Sequence, residues 1–143
     1  MPCVLALALL ALSLSVSAQA ETLKGTLYKQ QQCDCCESHA DYLRKEGIEI
    51  DIEAVSNLNQ LSKEAGTPTG FHGCHVIKLN GYIFEGHITS DLIRRVAKEK
   101  PDIIGLSFPG MPAGVPGMEG PKKRPIKVYA INKDGTTAVY DTQ

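Results

Sequence analysis

A chain of 143 residues with 43% hydrophobic content, no tryptophan and a formal net charge of -1 has the size and apolar fraction of one small domain with a modest core. Its 15 basic and 16 acidic side chains nearly cancel, which argues against a nucleic-acid binder. The one basic run, Lys122-Lys123-Arg124, reads as a solvated loop.

In chain order, residues 4–16 are apolar and lead into Ala18-Gln19-Ala20, a pattern that signal peptidase cuts. The run is shorter than the roughly 20 residues of a membrane-spanning helix. Residues 1–20 are therefore expected to be a signal peptide, although no Lys or Arg precedes the apolar run. The expected product is one exported periplasmic domain, 21–143, with no membrane attachment after cleavage. It keeps four of the five cysteines in a compartment where thiols are ordinarily oxidised.

Residues 22–28 read as a short strand and 37–46 as a helix that Gly47 ends. Ile48, Ile50 and Ile52 alternate with Glu49, Asp51 and Glu53, the period-2 pattern of a strand with one wet face. Residues 57–65 read as a short helix closed by Gly66. Residues 74–79 and 82–87 flank Asn80-Gly81, a dipeptide that favours a two-residue hairpin turn. Ser90 is expected to cap a helix that ends before Pro101. The stretch 105–118, with Pro109, Pro112 and Pro116, is expected to hold no regular element. A last hairpin, 127–131 and 137–140, closes the chain around Lys133-Asp134-Gly135.

Cys33-Asp34-Cys35-Cys36 stands where the first strand gives way to the first helix. Free cysteine is usually placed for its reactivity rather than its shape, so three thiols in four residues point to redox or metal chemistry. Strand, cysteines at a helix start, a further βα unit, then a hairpin and a helix make an order that resembles the thioredoxin-like fold. The expected class is α/β, a central mixed sheet with flanking helices, plus a Pro/Gly/Met loop and a C-terminal β-hairpin. Cys33 and Cys36 carry the C-x-x-C spacing of that superfamily, and Cys74 stands where its active-site proline would be expected, facing the other three cysteines.

A helix N-terminus favours negative charge and so lowers thiol pKa, preparing nucleophiles or metal ligands. A third thiol beside a redox pair can scramble mixed disulfides, whereas for metal it can bridge neighbouring ions. Soft thiolates take Cu(I), zinc or iron-sulfur clusters. Met111 and Met118, each after glycine in a repeated Pro-Gly-Met, offer thioethers that suit Cu(I) and favour copper. Among the histidines, His87 at a strand end after Gly86 is the best candidate ligand. His39 is a candidate outer partner, and strand alternation points His75 away from the face of Cys74. Four thiolates on one Cu(I) would leave three net negative charges in a half-buried site, so several shared Cu(I) ions are the cheaper arrangement.

Cys33-x-Cys35-Cys36, Gly73-Cys74-His75, Gly81-Tyr82-x-x-Glu85-Gly86-His87 and Pro109-Gly110-Met111-Pro112-x-Gly114-x-Pro116-Gly117-Met118-Glu119 together resemble one family. It is an exported metal-binding family, long catalogued as a domain of unknown function, that includes the periplasmic copper-resistance protein CopG. The resemblance implies a thioredoxin-like fold whose four cysteines hold a multinuclear copper cluster through bridging thiolates. Val115 departs from the loop pattern, where a smaller polar residue is common. The expected site is Cys33, Cys35, Cys36, Cys74, His87, Met111 and Met118, with copper as cargo and copper exporters or other periplasmic copper carriers as partners. Three alternatives stay open: a thiol-disulfide oxidoreductase using Cys33 and Cys36, a pair of structural disulfides, and a zinc or iron-sulfur site.

Overall fold

The structure, a computed structural model, describes residues 21–143, so the expected signal peptide and Cys3 lie outside the described residues. Ten elements follow one another: β1 (Lys24–Lys29), α1 (Asp34–Lys45), β2 (Glu49–Ala54), α2 (Leu58–Glu64), β3 (His75–Leu79), β4 (Tyr82–Glu85), α3 (Ser90–Glu99), β5 (Gly105–Ser107), β6 (Lys127–Ile131) and β7 (Thr137–Thr142). The strands form one mixed sheet in the order β2-β1-β3-β4-β5-β6-β7. This α/β architecture is compatible with the expected thioredoxin-like frame. Among the described residues no helix is long and apolar enough to cross a membrane.

Local chemistry accounts for most of these elements. Asn57 caps α2 by accepting the Gln60 N–H at 3.0 Å. Asn80 and Gly81 both take positive φ, 48° and 81°, the condition for the tight turn that sets β3 antiparallel to β4. Ala40 and Leu43 of α1 and Leu92, Ile93 and Val96 of α3 are buried with Leu27, Ile77 and Phe84 of the sheet. Their apolar area, at about 25 cal/mol per Å² removed from water, is the main favourable contribution to folding. Lys122, Lys123 and Arg124 are exposed, as a solvated loop should be.

Three details differ from the sequence expectations. Gly105–Ser107 is a strand, parallel to β4 and antiparallel to β6. The prolines that seemed to forbid a regular element all lie after it, so its three amides remain free to donate. Helix α1 starts at Asp34, which brings Cys35 and Cys36 into its first turn with Cys33 as N-cap. Thr89 rather than Ser90 holds the N-cap position of α3, and the Ser90 hydroxyl instead lies 3.0 Å from Tyr42 Oη on α1.

Register decides which ends meet. Lys29, the last residue of β1, pairs with His75, the first of β3, and Val76 pairs with Glu85, the last of β4. The start of α1, the start of β3 and the end of β4 therefore share one edge. Ser107 of β5 pairs with Glu85, so the Pro/Gly/Met loop leaves the sheet at this edge as well.

Candidate metal centre

Identifiable contacts hold the cysteine-bearing segments at this edge. The Lys29 side chain, 6% exposed, donates to the Gln31 carbonyl at 2.9 Å and pairs with Glu37 Oε1 at 2.9 Å, tying the 30–32 turn to the first turn of α1. Behind Cys74, the buried Glu85 carboxylate accepts the Thr67 hydroxyl at 2.8 Å and the Gly73 N–H at 2.9 Å. That carboxylate clamps the loop entering β3 against the end of β4.

The four cysteine sulfurs converge, all lying within 4.8 Å of one another. Cys33 and Cys36 are joined as a disulfide, while Cys35 and Cys74 are free and half-buried. Cys35 Sγ is 3.6 Å from Cys33 Sγ and 4.0 Å from Met111 Sδ. Met111 is 52% exposed, so its thioether stands between the cysteines and solvent. Met118 packs half-buried against the core, with no comparable sulfur contact to a cysteine among the described residues. The loop that carries it is pressed onto α1: a Cβ at Gly117 would meet the His39 N and Cα at 2.7 and 2.9 Å. Val115 is buried in the core, so the departure from the loop pattern anchors the loop.

Three buried histidines back the sulfurs. His87 Nε2 lies 3.3 Å from Cys74 Sγ, and its Nδ1 donates to the Pro116 carbonyl at 2.7 Å. His75 Nδ1 lies 3.2 Å from the same sulfur. This corrects the expectation that His75 points away. Strand β3 begins at His75, so Cys74 precedes the strand and alternation does not govern the pair. His39 on α1 closes the group, with Nδ1 2.8 Å from His75 Nε2 and Nε2 2.9 Å from the Ile88 carbonyl. The sequence signals for what was missed are the adjacent Cys74-His75 at a strand start and Glu85 in the Glu85-Gly86-His87 motif. His72, by contrast, turns away to the Thr67 carbonyl at 3.1 Å.

Burial dominates the electrostatics. It lowers the His39 pKa to about 3, takes His75 well below its ordinary value and lowers His87, so all three rings are neutral near pH 7. Burial, with Cys35 alongside, raises the Cys74 thiol to about 12. Cys74, which lies at no helix end, is therefore a protonated thiol until a metal displaces its proton.

The histidines set a pH dependence of known sign. Their folded pKa values lie below the unfolded value of 6.5, so under acid the unfolded chain binds more protons. Stability of the metal-free protein is expected to be full above about pH 6.5. It should then fall by up to about 1.4 kcal/mol per pH unit for each histidine, down to about pH 3 for His39. Urea midpoints measured between pH 7 and pH 4 check this; a flat profile would contradict it.

A cavity of about 970 Å³ lies elsewhere, lined by Asn80, Gly81, Tyr82, Lys98, Lys100 and Pro101 among others. It sits at the far end of β3, about 17 Å from Cys74 at some 3.3 Å per residue, and contains neither cysteine nor histidine. The chemistry concentrates instead in a compact sulfur and imidazole cluster, a donor set for a thiophilic metal ion rather than an organic ligand.

Residues 71–118 match the family described as "Protein of unknown function, DUF411". Two solved structures match the fold, "Copper resistance protein copG- Form 2" and "Copper resistance protein copG- Form 1". Each has a TM-score of 0.80 and 26% identity over 86% of this chain, covering 99% and 98% of their own chains. The chain is similar in fold to copper resistance protein CopG, and its segment 71–118 matches the family model. No curated protein sequence matches it. The region matched to the family, 71–118, holds Cys74, His75, Glu85, His87, Met111 and Met118, whereas Cys33, Cys35 and Cys36 lie outside it.

Proposed function

We propose that this chain is a periplasmic copper-binding protein of copper resistance or homeostasis that holds a polynuclear Cu(I)-thiolate cluster. In this reading residues 1–20 are a signal peptide and 21–143 one metal-binding domain. The observation that carries it is the convergence of four cysteine sulfurs within 4.8 Å, with the Met111 thioether 4.0 Å from Cys35. The likeness to copper resistance protein CopG supports the choice of metal. Thioether sulfur favours Cu(I) over zinc, and adjacent Cys35 and Cys36 suit bridging between ions.

Copper is the cargo, taken up by Cys33, Cys35, Cys36 and Cys74, with His87, Met111 and Met118 as further ligands. Cys33 and Cys36 donate as thiolates only after an external dithiol reduces their disulfide by two electrons and is itself oxidised to a disulfide, so copper loading is coupled to thiol redox state. Met111, exposed at the rim, is the group that first meets copper handed over by, or passed to, an exporter or another periplasmic carrier.

Anaerobic titration of the reduced chain against a competing chelator is expected to saturate above one Cu(I) per chain. Saturation at one ion would end the polynuclear reading, and zinc without copper in protein from copper-fed cells would end the copper reading. The Cys33–Cys36 disulfide favours one second reading, a thiol-disulfide oxidoreductase. That activity would persist in metal-free protein lacking Cys35.

A further inference from the structure

The segment 122–127 holds Lys122, Lys123, Arg124 and Lys127 and no acidic residue. All four side chains are exposed, and among the described residues none of them enters an ion pair. Asp141, on the strand beside Lys127, is taken by Arg95 at 2.7 Å. In a chain of net charge -1 this is a local excess of positive charge. Charge alone makes only a solvated loop; the surface next to it makes the difference.

That surface is a groove of about 550 Å³. Arg124, Pro125 and Lys127 line it from the basic segment, and Pro109, Met111 and Pro112 line it from the Pro/Gly/Met loop. Phe108, which is buried, and Tyr129, which meets the Phe71 ring edge-on at 5.2 Å, add an aromatic lining. A smaller hollow of about 140 Å³ adjoins the groove at Pro112 and Arg124 and adds Lys123. The three prolines have no N–H to give, so these walls are poorly suited to pairing with an added strand. Recognition falls to side chains: cations, an apolar lining and one thioether. Met111 is 52% exposed with its Sδ 4.0 Å from Cys35 Sγ, so it belongs to the groove and to the rim of the sulfur cluster at once.

We propose that this groove docks an acidic, methionine-bearing segment of a second protein, with carboxylates against Arg124 and Lys127 and a thioether against Met111. Charge complementarity selects the acidic class, and the aromatic and proline lining calls for a segment with an apolar body rather than a free inorganic anion. Docking needs no metal. Only the handover of copper rests on the copper reading above. There the ion stays Cu(I): a bond to the Met111 thioether forms as one to the incoming thioether breaks, and no electron changes hands. Exposed opposite charges act chiefly on the rate of encounter. The groove cations therefore set how fast copper is exchanged, while the cysteines set how much is held.

The probe is a capped six-residue peptide with four carboxylates and two methionines. Added to the metal-free, disulfide-intact full chain labelled with nitrogen-15, it should shift the amides of Gly110, Met111, Arg124, Lys127 and Tyr129. Raising salt from about 0.01 to 0.15 M shortens the screening length from about 30 to 8 Å and should weaken binding at least about tenfold. Arg124→Glu with Lys127→Glu should do the same, whereas Lys98→Glu with Lys100→Glu, an equal charge change beside the other cavity, should leave binding within about twofold. Cu(I) transfer from the loaded peptide to the reduced chain should slow at least about tenfold in Arg124→Glu with Lys127→Glu, with the final Cu(I) stoichiometry unchanged. Shifts centred on Lys98 and Lys133, equal binding of a peptide whose carboxylates are replaced by amides, or undiminished binding by the groove variant overturns the docking. Equal transfer rates overturn the handover. Anionic phosphatidylglycerol vesicles, or a second copy of the chain, moving the groove amides where the peptide does not would assign the face to that occupant and likewise overturn the proposal. Saturation of the reduced chain at one Cu(I) would end the cluster reading and leave docking to the metal-free chain standing.

Discussion

Cys35→Ser is expected to cut the Cu(I) capacity of the reduced chain to one ion or none and to weaken what remains at least about 100-fold. Loss of an outer-shell partner alone typically costs 10- to 100-fold in metal affinity. Cys35 is proposed as a direct ligand, and one placed between the others. Its sulfur is 3.6 Å from Cys33, within 4.8 Å of Cys36 and Cys74, and 4.0 Å from Met111. Removing it leaves three sulfurs, too few thiolates to neutralise and bridge several ions, and takes away the contact that joins the exposed thioether to the group. Serine is nearly isosteric and the side chain is half-buried, so the urea midpoint of the metal-free protein should move by less than about 0.5 kcal/mol equivalent. Chelator competition and denaturation on the same preparation check both halves. Undiminished copper capacity in Cys35→Ser would sink the cluster reading. If insulin reduction by metal-free protein is present and also survives in Cys35→Ser, the Cys33–Cys36 pair acts as a thiol oxidoreductase in its own right.

What could be read in advance depended on how local the physics was. The β3–β4 hairpin was legible because Asn80-Gly81 states its turn in two residues, and β2 because isoleucines alternate with acids. Strand β5 was not: three residues without alternation, made a strand by β4 and β6 on either side, carry no local signature. The spacing of Cys33 and Cys36 was legible because helix geometry is periodic. His75 was misread for the converse reason, since a periodic rule was applied across the boundary where β3 starts. Nor does a sequence reveal that Glu85, in a strand, turns its carboxylate back to a threonine eighteen positions earlier, because that contact exists only once the sheet has assembled.

Gly73→Ala is expected to damage both the fold and the site although it touches no proposed ligand. A Cβ at position 73 would lie 2.3 Å from the Gly86 nitrogen and 2.8 Å from both the Glu85 carbonyl carbon and the Gly86 Cα. All three are backbone atoms, so no side chain can rotate out of the way; the start of β3 and the end of β4 must separate. Three contacts cross that seam: Gly73 N–H to Glu85 Oε2 at 2.9 Å, Gly86 N–H to the His75 carbonyl at 3.0 Å, and Cys74 Sγ to His87 Nε2 at 3.3 Å. Overpacking costs typically about 1–3 kcal/mol and an unserved buried carboxylate oxygen a further 1–3, so a loss of about 2–6 kcal/mol is expected. Metal affinity should fall by at least about tenfold, because Cys74 and His87 lose their mutual placement. Gly70→Ala is the matched control: nothing lies within 4 Å of its added methyl, and its effect should stay within about 0.5 kcal/mol. Urea unfolding and Cu(I) titration of the two variants side by side give the comparison. If Gly73→Ala were as stable as Gly70→Ala and bound metal equally well, the seam between β3 and β4 would not be what holds Cys74 against His87. The placement of the site would then have to come from the loop over α1, through the Pro116 carbonyl and the contact of Gly117 with His39.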